Sequence, residues 1–393
     1  MWPILEWILV GWTLLAAGCW GFALWLVHRR MAAEARPQDI RPADVDSATL
    51  FLSVFKPLAA LQTADAPPEL IAALESFVRQ LDENTELLLG IEEQDAGAWQ
   101  PVLDAWCRQY PRARLEPVCL DRPQTFLSPK VSWFHALAVH AGGELWFWSD
   151  SDIIAPPGLL TTLRHELDRP GTALVTCPYR IRRLDAAPAL LETLFVNVEF
   201  LPGVLACRQF DAVRFGFGAG LFFRAATFRE RVRWEELGER LACDNLLSQR
   251  LAPVRLSAVT VDTLPAAGHW RDAALHYLRW KKTVRWCAPV GFAGLIVITP
   301  VLGWLVVTAL QPDLLRGWLG LLVTIHLEAL AAWCICRRLG CSLPRRWAWA
   351  LVGWSLARAL AWGVCWLPWP IVFRSQRRMW WGLYQSQPCG GES

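Results

Sequence analysis

Hydrophobic and polar positions divide the chain into apolar stretches near both ends and a middle part of short alternating runs. Residues 1–27 are apolar except for Glu6 and are followed at once by His28-Arg29-Arg30, which predicts a transmembrane anchor over residues 1–28. The stretch has no basic leader and no small-residue cleavage site, so the anchor is expected to be retained. Its positive flank predicts that the next domain is cytoplasmic. Residues 29–48, with Arg36-Pro37-Gln38 and Arg41-Pro42-Ala43-Asp44, read as a polar linker.

The period changes from residue 49. Residues 50–55 form a continuous apolar run into Lys56-Pro57, as a central strand does, and residues 68–80 place Leu70, Ile71, Leu74 and Phe77 at helical spacing. A strand over 86–91, a helix over 98–110, a strand over 114–120 and a helix over 131–141 follow. Residues 145–149 then form a buried strand that ends abruptly in Asp150-Ser151-Asp152, with further strands at 173–177 and 221–224. Strands alternating with helices predict an α/β domain over residues 49–286, with a mostly parallel sheet and right-handed crossovers.

Beyond residue 286 the chain is apolar again. Residues 288–310 and 319–335 are two spanning candidates joined by a loop at 311–317, a hairpin returning to the cytoplasm at Arg337-Arg338, with Arg345-Arg346 beyond. His326 and Glu328 lie within the second, where ionisable groups mark function by default, with their mutual pairing or helix packing as the alternatives. Residues 347–373 are interrupted by Arg358 and broken by Pro368 and Pro370, and Arg374, Arg377 and Arg378 follow. A full crossing would put those arginines outside, so a re-entrant or interfacial hairpin is expected. The organisation predicted is a C-terminal membrane region at 287–373 and a basic tail at 374–393.

Composition supports the membrane reading: 54% of residues are hydrophobic, 19% are charged and 25 are tryptophan, too apolar for an ordinary soluble enzyme. A formal net charge of +3, without a basic stripe, argues against a nucleic-acid partner. The 12 cysteines show no C-x-x-C pair and no zinc-type spacing with histidine, and Cys334 and Cys336 sit in an apolar segment where packing is their expected role.

The candidate chemistry centres on Asp150 and Asp152. Carboxylates one residue apart at the carboxyl end of a parallel strand can share Mg²⁺ or Mn²⁺ with a diphosphate completing the shell. The competing reading is a solvated turn capping the helix that Pro156-Pro157 opens. Lys56 and Lys130, two of only four lysines, each sit beside a proline at an element boundary, where an ammonium can reach phosphate or simply lie at the surface. Asp244 stands at a helix start, as a cap, an active-site carboxylate or both. Residues 215–220, Phe-Gly-Phe-Gly-Ala-Gly, precede a strand, which argues against a dinucleotide loop and leaves close approach of backbone to substrate or a plain bend.

An ordered set of motifs resembles the ceramide glucosyltransferase-like enzymes, which include bacterial glycosyltransferases acting on hopanoids. The set is Ser53-Val54-Phe55-Lys56-Pro57-Leu58, Ser128-Pro129-Lys130-Val131, Asp150-Ser151-Asp152, Phe217-Gly218-Ala219-Gly220, Cys243-Asp244-Asn245 and His276-Tyr277-Leu278-Arg279-Trp280. The resemblance covers residues 47–286 and the flanking apolar segments. It implies a GT-A domain, with transmembrane helices at both ends, that moves a sugar from a UDP-sugar to a lipid hydroxyl with inversion.

On that resemblance Asp150 and Asp152 hold the metal, Asp150, Lys56 and Lys130 meet the UDP-sugar, and Asp244 is the general base. Relatives carry an acidic residue where Cys243 stands. They also carry an aspartate after the second strand that contacts uridine; here Glu93 aligns better and Asp95 keeps the residue type, and both stay open. His276-x-x-Arg279-Trp280 is followed by Lys282-x-x-Arg285-Trp286, and six residues on a helix turn through about 240°, so both arginines cannot face one site. The first is taken as the motif because Lys281, Lys282 and Pro289 follow it as in relatives. Arg279 then binds the leaving diphosphate and Trp280 walls the acceptor pocket, whereas the residues alone also suit an amphipathic helix on a membrane surface.

The function expected is hexose transfer from UDP-glucose to a ceramide-like lipid at the cytoplasmic face of a bacterial inner membrane. The alternative is UDP-GlcNAc transfer to a hopanoid or other lipid. A processive polysaccharide synthase would need more apolar segments to build a channel. A noncatalytic membrane scaffold is disfavoured because Asp150, Asp152 and Asp244 are all present, and a nucleotidyltransferase gives no reason for the Arg-Trp motif.

Overall fold

Leu52, Val54 and Phe55 are fully buried, all eight residues of Thr85–Glu92 are buried, and so are all four of Leu145–Trp148. Strands covered on both faces are what continuous apolar runs predict, and in the computed structural model they form the centre of a parallel sheet. The structure describes residues 2–35, 46–58, 60–61, 65–184, 186–265, 268–311, 315–368, 371–372, 378–380 and 383–384. The expected linker motifs at 36–44 and most of the basic tail, Arg374 and Arg377 included, lie outside the described residues. The chain forms two compact units: Met1–Arg36, Arg180–Phe210 and Pro265–Trp369 in one, and Pro37–Tyr179, Asp211–Leu264 and Pro370–Ser393 in the other.

The second unit is built on a seven-stranded sheet of β1 (Leu52–Pro57), β2 (Thr85–Glu92), β3 (Arg114–Leu120), β4 (Leu145–Trp148), β5 (Leu174–Thr176), β6 (Leu221–Arg224) and β7 (Val254–Leu256), in the order β3-β2-β1-β4-β6-β5-β7. β6 runs antiparallel to β4 and β5, and the other neighbours pair in parallel. The order reverses at β1, which lies between β2 and β4. Crossovers therefore leave β1 and β4 in opposite directions, opening a crevice at their carboxyl ends. The register pairs Phe55 with Trp148, so Lys56 stands beside Ser149 and the aspartates come just beyond.

Side chains of β4 alternate between the two faces, as strand geometry requires. Trp148 stacks on Phe134 at 4.4 Å and packs beside Trp234 at 5.4 Å, while Phe147 meets Phe77 and Phe222, each at 6.1 Å. Helix Pro129–His140 thus covers one face and helix Pro68–Val78 the other. Truncating a fully buried ring such as Phe147 to alanine would cost about 3–5 kcal/mol.

The first unit is helical. Three of its helices are long and apolar enough to cross a membrane: Ile4–Glu34, Ala189–Gln209 and Leu315–Arg338. The N-terminal helix, Trp2–Glu34, runs past the expected end of the anchor at residue 28, because residues 29–34 continue as helix formers and close with an Arg30–Glu34 ion pair of 2.8 Å. The stretch 288–310 is not one straight span: Pro289–Ile298 and Val301–Leu310 meet at 58°. Pro300 lacks the N–H that would continue the ladder, and Arg358 donates to the carbonyl of Ile298 at the bend at 2.7 Å and to Thr299 Oγ1 at 2.9 Å. Residues 347–373 contain one helix, Ala348–Val364, whose Arg358 faces inward rather than interrupting it.

Two stretches expected inside the catalytic domain, 180–210 and 265–286, group instead with these helices. Helix Ala189–Gln209 was not anticipated, because Glu192, Asn197 and Glu199 break its apolar run. Those polar groups are satisfied internally, Asn197 by the backbone of Ile181 at 2.9 and 2.7 Å.

Candidate active site

At the carboxyl edge of β4 the chain turns through Ser149 and Asp150. Ser149 Oγ donates to the carbonyl of Ala219 at 2.9 Å, and the Asp150 amide donates to the carbonyl of Gly218 at 3.0 Å, so this turn is bolted to the glycine-rich segment before β6. The Gly218 amide in turn donates to Asp244 Oδ2 at 2.9 Å. One glycine therefore joins the metal-type aspartate to the candidate base. A Cβ on Gly218 would fall on Lys130 Nζ and Asp150 Oδ2.

Lys130 is delivered by the first turn of its helix, where Pro129 suits the N-terminal position and Ser128 Oγ accepts from the Val131 amide at 3.4 Å. Its ammonium reaches Asp150 Oδ1 at 2.5 Å, with the two side chains 34% and 39% exposed. Burial alone would lower the lysine's pKa, but Asp150, Cys243 and Asp244 together carry it above the ordinary value. Lys130 is thus a fixed cation between two carboxylates.

Asp244 is the second residue of helix Cys243–Arg250, not its cap; the N-cap position is Ala242, without a side-chain bond. Its Oδ1 accepts from the Asn245 amide at 3.0 Å while Oδ2 takes Gly218. Burial raises its pKa, Lys130 opposes that and Asp150 adds to it. Such a carboxylate is a better proton acceptor than a free one. Cys243 is a neutral thiol pushed up to about 12 by burial. The space left among Lys130, Phe134, Trp148, Gly218 and Asp244 is ≈ 10 Å³, about one water molecule.

Asp152 is pinned by the antiparallel pair Ile153–Ile154 and Val261–Thr263: Thr263 Oγ1 donates to its Oδ2 at 3.1 Å and the Leu264 amide to its carbonyl at 3.0 Å. Burial and then the charge of Asp150 raise its pKa to about 6. Lys56 is placed beneath the site and not at its surface. Its ammonium is buried over the Phe77 ring at 3.6 Å and donates to Ser149 Oγ at 2.9 Å and to the Asp150 carbonyl at 2.8 Å. Burial lowers its pKa to about 7, against the pull of Asp152 and Asp150. It holds up the Asp150 turn and does not reach out to a phosphate.

Among the described residues no cluster of three or more His, Cys, Asp or Glu is placed to hold a metal. Asp150 and Asp152 nonetheless suit a hard divalent cation in donor type, since their side chains offer only carboxylate oxygens, one residue apart at the carboxyl edge of the sheet. The two uridine candidates differ: Glu93 is exposed after β2, whereas Asp95 Oδ2 accepts from the Leu61 amide at 2.9 Å and fixes the turn that follows β1.

In the helical unit, His276, Arg279 and Trp280 lie on helix Trp270–Cys287. His276 Nδ1 is 3.3 Å from Glu192, its ring is 4.3 Å from that of Trp280, and Trp280 packs on Phe195 at 5.2 Å. The second motif turns elsewhere, with Arg285 over Trp366 at 5.6 Å. Gly218 stood in a motif that the sequence singled out, whereas nothing local marked Ser149 or Glu199.

The model of glycosyl transferase family 21 matches residues 10–377. Similar solved structures include a mannosyltransferase from Pyrobaculum calidifontis in complex with GDP-Man and Mn²⁺, at 18% identity over 91% of this chain and 92% of that one, TM-score 0.42. Another is glucosyl-3-phosphoglycerate synthase from Mycobacterium tuberculosis in complex with Mn²⁺, UDP and phosphoglyceric acid, at 13% identity over 65% and 85%, TM-score 0.38. A third is mannosyl-3-phosphoglycerate synthase from Rubrobacter xylanophilus, at 15% identity over 64% and 78%, TM-score 0.37. Comparison with curated proteins gave no match.

Proposed function

The chain belongs to glycosyl transferase family 21, and on that premise we propose that it is a membrane-bound, inverting GT-A enzyme that moves a hexose, glucose in the first instance, from a UDP-sugar to the hydroxyl of a ceramide-like lipid. The observation that carries this reading is the single backbone link at Gly218, which sets Asp150, Lys130 and Asp244 side by side at the carboxyl edge of the sheet.

Asp244 accepts the proton of the attacking lipid hydroxyl. As that oxygen bonds to the anomeric carbon from one face, the bond to the UDP oxygen breaks on the other, and the electron pair leaves with UDP. Asp150 and Asp152 would hold Mg²⁺ or Mn²⁺, which supplies positive charge for the diphosphate. Lys130 shields Asp150 from Asp244 and offers a second positive charge as UDP departs. Arg279 serves the diphosphate, Trp280 the acceptor, and either Glu93 or Asp95 the uridine. The apolar helices cross a bacterial inner membrane with the catalytic unit on the cytoplasmic side, where lipid hydroxyl and nucleotide sugar meet.

The test is UDP release by the full-length protein in detergent with Mg²⁺ or Mn²⁺, across UDP-glucose and UDP-GlcNAc as donors and ceramide, hopanoid and diacylglycerol as acceptors. Release that requires one donor together with one lipid supports the reading. UDP binding without release for any pair overturns it.

A further inference from the structure

Helix Ala189–Gln209 does not run as a uniform α-helix. Residues Phe195–Phe200 form a π turn, in which each carbonyl bonds one residue further along, a feature that survives where it serves a side chain's placement. Two polar residues fall within it. Asn197 is used up by the backbone of Ile181. Glu199 turns to helix Trp270–Cys287: Tyr277 Oη donates to its Oε1 at 2.8 Å and the Lys281 ammonium to its Oε2 at 2.6 Å. The Lys281 and Glu199 side chains are 2% and 5% exposed.

A buried ion pair of this kind adds little net stability over an apolar contact of the same size; what it specifies is geometry. Tyr277 and Lys281 are four residues apart and share one face of their helix. With that face locked onto Glu199, Arg279, two residues on, is turned about 200° away, and Trp280 sits between, against Phe195. The contact of His276 with Glu192, seven residues before Glu199, adds a second tie that resists sliding. An apolar pair at 199 and 281 would leave the helix free to rotate by the small angles that apolar surfaces tolerate.

We infer that Glu199 is a positioning residue for the transfer reaction: by holding Tyr277 and Lys281 it sets the rotation at which Arg279 and Trp280 are presented to the substrates. This rests on the proposed roles of Arg279 and Trp280.

The experiment compares wild type, Glu199→Gln, Arg279→Ala and the charge-reversed pair Glu199→Lys with Lys281→Glu, full-length in detergent, with UDP-glucose and ceramide. The expected result is a kcat loss of about 100-fold for Glu199→Gln, the scale of a misplaced catalytic group. Because Arg279 serves the diphosphate, UDP affinity should weaken in Glu199→Gln as well, Arg279→Ala should lose at least as much of both, and the reversed pair should recover a substantial part. Normal kcat per folded molecule in Glu199→Gln, with only the yield of folded protein reduced, overturns the inference while leaving the transferase reading intact. So does a Glu199→Gln loss when Arg279→Ala is fully active, since Glu199 would then act through nothing. No turnover by wild type overturns the transferase reading, and the inference with it.

Discussion

The ammonium of Lys130 lies 2.5 Å from Asp150 Oδ1 and is held against the carboxylate that the proposed metal would need. The same charge cannot serve both partners at full strength, so cation and lysine compete for Asp150. Replacing Lys130 with methionine is expected to tighten Mn²⁺ binding several-fold while lowering transfer by about 100-fold, as loss of one preorganised charge does. Calorimetric Mn²⁺ titration beside UDP-release kinetics reads both, and a parallel fall of the two would count against competition.

Gly218→Ala places a methyl group on the ends of Lys130 and Asp150, not on backbone or core. Both ends are flexible, so the cost should appear in function. Thermal unfolding is expected to shift by no more than a few degrees, and kcat to fall by about 100-fold or more, in line with displacement of reacting groups by about 1 Å.

Asp244→Asn keeps the hydrogen bond from the Gly218 amide and removes the proton acceptor. UDP affinity is expected to stay within threefold of wild type by estimate, while transfer falls by about 10²–10⁴, the usual contribution of a general base. Equal losses in binding and turnover would assign Asp244 to the donor instead.

Asp152 carries a pKa raised to about 6 by burial and by Asp150. Its proton is therefore bound more tightly in the folded than the unfolded chain. That contribution to stability is fully present below the ordinary carboxylate value and is lost as pH rises through about 6. Donor and metal binding runs the other way, since it needs the carboxylate. Affinity for Mn²⁺ with UDP is expected to rise about tenfold per pH unit up to about 6 and then level off. In Asp152→Asn that limb should vanish from a pH series of titrations.

Glu328 and Arg358 form an ion pair of 2.8 Å within the helical unit, each side chain 2% exposed, and Ser355 donates to the same carboxylate. Mutual pairing of Glu328 with His326 is not what forms, since Glu328 pairs with Arg358; His326 is exposed, its ring nitrogen 2.7 Å from the Leu322 carbonyl of its own helix. Arg358→Met leaves the buried carboxylate without its counter-charge, with only Ser355 donating to it, and the Ile298 carbonyl without its Arg358 donor, and is expected to cost about 3–5 kcal/mol. Adding Glu328→Leu should restore part of it, as read by thermal unfolding in detergent.

Much of the catalytic unit was legible because periodicity is a local property. Runs at 114–120 and 221–224 are strands with the expected bounds, and helices Pro129–His140 and Cys243–Arg250, which begin beside Lys130 and Asp244, start within about two residues of where the pattern put them. The aspartates at the end of β4 followed from the rule that parallel strands deliver ligands at their carboxyl ends. The environment of a side chain was another matter. Lys56 looked like a phosphate ligand and is a buried prop, because its orientation is decided by which neighbours close over the strand end.

By itself, then, the sequence determined the element types, the reversal-prone α/β alternation, the ordered motifs and the apolar segments, since each depends on residues within a few turns of one another. Only the tertiary structure decided that Gly218 ties Asp150 to Asp244, that Arg358 repairs the break at Ile298, and that Glu199 grips Tyr277 and Lys281. Those partners are separated by 26 to 82 residues in the chain. No local pattern encodes such pairings, because they arise when buried polar groups must find whichever donor or acceptor the packed elements bring within reach.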